Sequence, residues 1–179
     1  GRLEEAAKSL KSSIAINPKF APAHFNLGNT LMTLGKFDEA EVSLRQAVTL
    51  DPKHAKHHYN LGITLKTLGK LNEAEAAYRQ AILLDSNYIE AHTNLGTTLL
   101  SLGKFDDAIA SFRRAIALRP DFAEGHYNIG NALKDLGKLK DAEQKYEEAI
   151  ALKTDFSLPH AGLGSLMLLR GEYKEGLRG

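Results

Sequence analysis

The chain has 179 residues and contains neither cysteine nor tryptophan. Without thiols it has no disulfide, no zinc–thiolate centre and no cysteine nucleophile. Long apolar runs are missing too. None approaches the roughly 20 residues of a membrane span, so insertion into a bilayer is not expected. No sign of charge dominates, since 23 Lys+Arg stand against 22 Asp+Glu. Such a balance gives no global field for nucleic acid or an anionic membrane. Nucleic-acid binding would need a basic stripe. The only candidates are Lys36, Lys70, Lys104 and Lys138, and acidic neighbours offset them. The opening Gly1-Arg2-Leu3-Glu4-Glu5 does not read as a signal peptide, which points to a cytoplasmic location.

What is present is a repeat. Gly1, Gly35, Gly69, Gly103, Gly137 and Gly171 recur at a constant step of 34 residues. The same step links Gly28, Gly62, Gly96, Gly130 and Gly164, and also Ala6, Ala40, Ala74, Ala108 and Ala142. It links His24, His58, His92, His126 and His160, and Asn26, Asn60, Asn94 and Asn128. A fixed period of this length signals a stack of small structural units.

Each period holds two helical patterns. Tyr59, Leu61, Gly62, Leu65 and Leu68 fall at helical spacing, and Gly69 ends that helix. Leu71, Ala74, Ala77, Tyr78, Ala81 and Ile82 form the second. The next turn carries Pro52 or Pro120 in two units, and Ser86 or Thr154 in the others. Proline there stops the second helix. No strand pattern occurs. Gly62 and Ala74 are expected where the two helices of a hairpin approach most closely.

The run His24-Phe25-Asn26-Leu27-Gly28, then Leu34-Gly35-Lys36-Phe37-Asp38-Glu39-Ala40, then Ala47 and Asp51-Pro52, resembles the tetratricopeptide consensus. The resemblance implies an all-α, right-handed α-solenoid, a superhelix of helix-turn-helix repeats. The expected layout is one solenoid over 1–179. It has a half repeat at 1–20, full repeats at 21–54, 55–88, 89–122 and 123–156, and a partial, truncated repeat at 157–179. The consensus tryptophan of the first helix is replaced by histidine throughout. Ala91-His92-Thr93-Asn94-Leu95-Gly96 is similar to the tetratricopeptide arm of O-linked N-acetylglucosamine transferases and their bacterial relatives. In that family an asparagine at this point lines the inner surface and binds the substrate's backbone. The matching residues are Asn26, Asn60, Asn94 and Asn128, and the fifth repeat departs with Gly162.

A solenoid of this kind has a concave face lined by first helices. An asparagine amide offers donors and an acceptor together, matching the N–H and C=O of an extended peptide. The other reading of the ladder is that its amides bond neighbouring helices. Further candidates for the peptide-binding face are Phe25, Asn29, Tyr59, Lys66, Tyr127, Asn131 and Lys134. They are accompanied by Met32, Lys56, Ile63, Glu90, Thr93, Thr97 and Glu124. The chaperone-binding branch of the family grips a C-terminal carboxylate with lysines. Asn29 and Asn60 fit that clamp, but Phe25 and Glu90 stand where lysines are required.

No metal site or cofactor is expected. Ladder histidines lie at least one helix-packing distance apart, roughly 8–10 Å, against zinc–nitrogen bonds of about 2 Å. His54, His57 and His58 are closer, but His54 falls in a turn and His58 belongs to the ladder. No catalytic constellation is legible. Asp38/Glu39 and Asp106/Asp107 open second helices, where they suit the positive end of the helix dipole.

The ends suggest exposed terminal helices. Leu166-Met167-Leu168-Leu169 is unusually apolar, and surface of that kind is normally covered. An end-to-end homo-oligomer is one expectation, and continuation of the parent protein at both ends is another. The run Leu169 to Arg178 is similar to the exit from such repeats toward a glycosyltransferase-like domain. Three functions are therefore carried forward. The chain is a protein-interaction module binding an extended peptide or partner segment, a substrate-recruiting arm of a larger glycosyltransferase-type enzyme, or a self-assembling scaffold.

Overall fold

A computed structural model describes residues 1–171. The expected second helix of the last repeat, and most of the run Leu169 to Arg178, lie outside the described residues. Ten helices follow one another, with no strand among the described residues. They are α1 (Arg2–Ile16), α2 (Ala21–Thr33), α3 (Phe37–Leu50), α4 (Ala55–Thr67), α5 (Leu71–Leu84), α6 (Ile89–Ser101), α7 (Phe105–Leu118), α8 (Ala123–Asp135), α9 (Leu139–Leu152) and α10 (Ser157–Arg170). The all-α architecture expected from the 34-residue period is the one observed.

Each first helix ends on a glycine for a backbone reason. Gly35 has φ of 72°, which side chains with a Cβ rarely adopt. Its N–H donates to Met32 O at 3.0 Å, and that of Lys36 to Leu31 O at 2.9 Å. This is a Schellman closure, which satisfies carbonyls left over at the helix end. Gly69, Gly103 and Gly137 repeat it. Asp38 and Glu39 sit in the first turn of α3, where the helix dipole favours negative charge.

The chain divides into two compact units, Gly1–Thr98 and the residues from Leu99 onward. In the first, α1 packs on α2, α2 on α3, α3 on α4 and α4 on α5, and the first helices α2 and α4 also touch. Ala7, Leu27, Leu31 and Ala40 form a core cluster, with Leu10, Ile14, Met32 and Leu34 packed against it. In the second unit, α8 packs on α7, α9 and α10. Small residues let these helices approach. Ala40, Ala74, Ala108 and Ala142 are fully buried.

The close approach expected at Gly62 is observed, and a side chain of the second helix fills it. A Cβ at Gly62 would lie 2.7 Å from the ring of Tyr78, and the Tyr78 ring supplies all its nearest contacts. The glycine is a notch for a large side chain of the second helix. Gly28 receives Leu44 and Gly130 receives Tyr146 in the same way. Tyr146 also lies against Gly162, where a Cβ would come within 2.8 Å of the ring.

Candidate peptide-binding face

The four ladder asparagines have unlike surroundings. Asn26 is exposed, while Asn60, Asn94 and Asn128 are half-buried. In the first unit Asn60 Nδ2 donates to Asn29 Oδ1 at 2.6 Å. Asn94 Nδ2 donates to Tyr59 Oη at 3.1 Å. Each amide thus reaches back to the preceding first helix and takes the polar group it finds there. Phe25, one repeat before Tyr59, has no hydroxyl to offer Asn60. Ile63, one repeat after Asn29, has no amide to offer Asn94.

An amide pair of this kind keeps hydrogen-bonding capacity. The Asn60–Asn29 bond uses the NH2 of Asn60 and the carbonyl of Asn29. The carbonyl of Asn60 and the NH2 of Asn29 remain, an acceptor and a donor side by side. Further along α4, Lys66 Nζ donates to Thr97 Oγ1 at 2.7 Å. Burial pushes the Lys66 ammonium below the usual lysine range.

Aromatic rings pair within the same unit. Phe25 and His57 have centroids 4.8 Å apart, and His57 stacks on His54 at 4.3 Å. Tyr59 lies 4.7 Å from Tyr88 and 6.0 Å from Tyr78. Burial raises the phenol of Tyr88 to about 12, and burial lowers the His57 imidazole so that it stays neutral near pH 7. Lys56 and Glu90 are exposed.

The second unit carries its own set. Tyr127 packs against Tyr146 at 5.8 Å and Phe156 at 5.5 Å. Tyr146 Oη donates to Asn131 Oδ1 at 2.8 Å, and burial raises this phenol to about 12. Lys134 is half-buried. His126 Nδ1 comes within 2.8 Å of Glu148 Oε2.

Sequence reading missed what the histidines do. His24 Nε2 lies 2.8 Å from Pro18 O, His58 Nε2 2.8 Å from Pro52 O, and His92 Nε2 3.0 Å from Ser86 O. A carbonyl only accepts, so each ring carries its proton on Nε2. The imidazole bolts the start of a first helix to the turn six residues earlier. The constant offset was visible in the sequence, but a main-chain acceptor leaves no residue signature.

A charged chain on the second helices was also missed. Glu41, almost buried, accepts from Lys70 Nζ at 2.7 Å and from Arg45 at 2.9 Å. Arg45 also pairs with Glu73 of the next second helix. Lys70 holds the Glu41 carboxyl below the usual range, against the effect of burial.

Among the described residues no group of three His, Cys, Asp or Glu is placed to hold a metal ion. None of the described helices is long and apolar enough to cross a membrane. Tetratricopeptide repeat patterns match residues 21–54, 55–88, 77–110 and 123–156, and a TPR repeat pattern matches 1–35 and 96–137. No curated protein matches. Among solved structures, MamA is similar at 27% identity over 85% of this chain and 89% of its own, with a TM-score of 0.83. YrrB, described as a TPR protein with an unusual peptide-binding site, is similar at 24% identity over 89% and 83%, with a TM-score of 0.84. PilF of Pseudomonas aeruginosa is similar at 22% identity over 97% and 72%, with a TM-score of 0.72. The family patterns together span residues 1–156, and the chain belongs to the tetratricopeptide repeat family, whose helical hairpins serve as protein-interaction modules.

Proposed function

We propose that this chain binds an extended segment of a partner polypeptide along the first-helix face of its N-terminal unit. The observation that carries this reading is the Asn60–Asn29 amide pair. Its spare acceptor and donor have the complementarity of a peptide group, both residues are half-buried, and Tyr59 and Phe25 are half-buried on the same two helices. Backbone recognition holds a segment without reading its side chains, and aromatic neighbours add apolar contact area. The test is affinity for synthetic peptides selected on the chain from a random twelve-residue library. Asn60→Ala with Asn94→Ala is expected to weaken binding while helical circular dichroism stays unchanged. Equal affinity for the two proteins overturns the reading.

A self-assembling scaffold is a second reading, favoured by one observation. Leu168 and Leu169 are 60% and 62% exposed, where the repeats at 55–88 and 123–156 carry Lys66-Thr67 and Lys134-Asp135. Sedimentation at rising concentration tests it. Association that Leu168→Ser with Leu169→Ser abolishes supports a scaffold, and a monomer throughout rejects it.

A further inference from the structure

Lys66 is a half-buried cation with no anion beside it. Its Nζ donates one hydrogen bond, to the neutral hydroxyl of Thr97 at 2.7 Å. Among the described residues no carboxylate lies within ion-pair distance of it. Lys70 of the same repeat and Arg45 of the preceding one are handled differently. Lys70 reaches Glu41 at 2.7 Å, and Arg45 is shared between Glu41 and Glu73.

An ammonium has three N–H donors, so two on Lys66 are left over. Partial withdrawal from water makes the charge costly to hold without a counter-ion. Desolvation is the only cause of its lowered proton affinity. Ile63, one turn earlier on α4, is half-buried and supplies no compensating charge. Thr97 meanwhile holds the ammonium between the first helices α4 and α6, while Asn60 bonds Asn29 on the other neighbour, α2.

We infer that the partner segment carries an aspartate or glutamate side chain that docks on Lys66. This rests on the peptide-binding reading above and specifies the ligand chemistry at the same face. Lys66 follows Asn60 by six residues, about 9 Å along α4 at ~1.5 Å rise per residue, and it faces α6 where Asn60 faces α2, so the acid docks on the α6 side of the amide pair. Lys66 lies outside the pattern of lysines that grips a chain terminus, so the anion is internal to the segment.

The experiment pans a random twelve-residue phage library on the full chain and on Lys66→Met. Binders are remade as C-terminally amidated peptides and measured by calorimetry. On the wild-type chain, selected peptides share an Asp or Glu at one register, and Lys66→Met loses that preference. Replacing the acid by its amide in the best peptide weakens binding by about tenfold or more, as expected for a charge-assisted contact. The same replacement has no effect on Lys66→Met. The peptide-side change needs no altered protein, so it decides the matter even if Lys66→Met folds poorly. Binders that depend on Asn60 but show no acidic preference overturn this inference and leave the peptide-binding reading standing. Binding lost on amidation of the peptide terminus also overturns it, because the anion would then be the terminal carboxylate. A library that yields no binder overturns both.

Discussion

Asn60 and Asn29, separated by 31 residues in sequence, are joined amide to amide at 2.6 Å across two first helices. The bond links successive repeats, so it bears on stability as well as on binding. A double-mutant cycle of Asn29→Ala and Asn60→Ala is expected to give a coupling of about 0.5–1.5 kcal/mol in urea denaturation. A coupling of zero would place the two amides apart in solution.

Two tyrosines at equivalent positions have opposite hydroxyl environments. Tyr146 Oη donates to Asn131 at 2.8 Å. Tyr78 Oη is buried with no partner among the described residues, because Ile63 stands where the later repeat has Asn131. Tyr146→Phe is expected to cost about 0.5–1.5 kcal/mol. Tyr78→Phe is expected to be neutral or stabilising, since it removes an unsatisfied polar atom. Thermal denaturation of the two variants side by side checks the contrast.

The glycine notches give a second contrast. Gly62 lies against the Tyr78 ring, and Gly62→Leu is expected to cost about 1–3 kcal/mol or more by overpacking. Among the described residues nothing lies within 4 Å of a Cβ built at Gly69, but its φ of 74° is one that side chains rarely adopt, so Gly69→Ala is expected to cost about 1–2 kcal/mol by backbone strain instead of overpacking. Unchanged melting for Gly62→Leu would refute the notch.

Glu41 makes stability fall in acid. Its folded-state pKa is depressed, with Lys70 as the main cause. Its contribution is therefore present above the unfolded value of about 4.3 and is lost as pH falls through the lower folded value. Glu41→Gln should lower the melting temperature at pH 7 and flatten its decline in acid below about pH 4. A melting curve with unaltered pH dependence would show that the carboxylate is solvated.

The fold was legible because its determinants are periodic. Gly35 and its counterparts mark every hairpin turn, and Ala40 and its counterparts mark every close approach. The face was legible only as a set of positions. The 34-residue step places Asn60 and Asn94 alike, yet their partners are an amide and a phenol. That difference depends on Phe25 and Ile63, which a search for polar residues passes over. Nor could Lys66 be told from Lys70 in the sequence, because the distinction lies in which carboxylate each side chain reaches.

The histidine bolt has a consequence for how such chains change. One half of the joint is an imidazole, and the other is a peptide carbonyl that any amino acid supplies. Pro18, Pro52 and Ser86 serve equally. Linker segments are thus free to drift in sequence while the mechanical connection persists. A duplicated or transplanted 34-residue cassette would bring its own fastener and need no matching partner in its new neighbour.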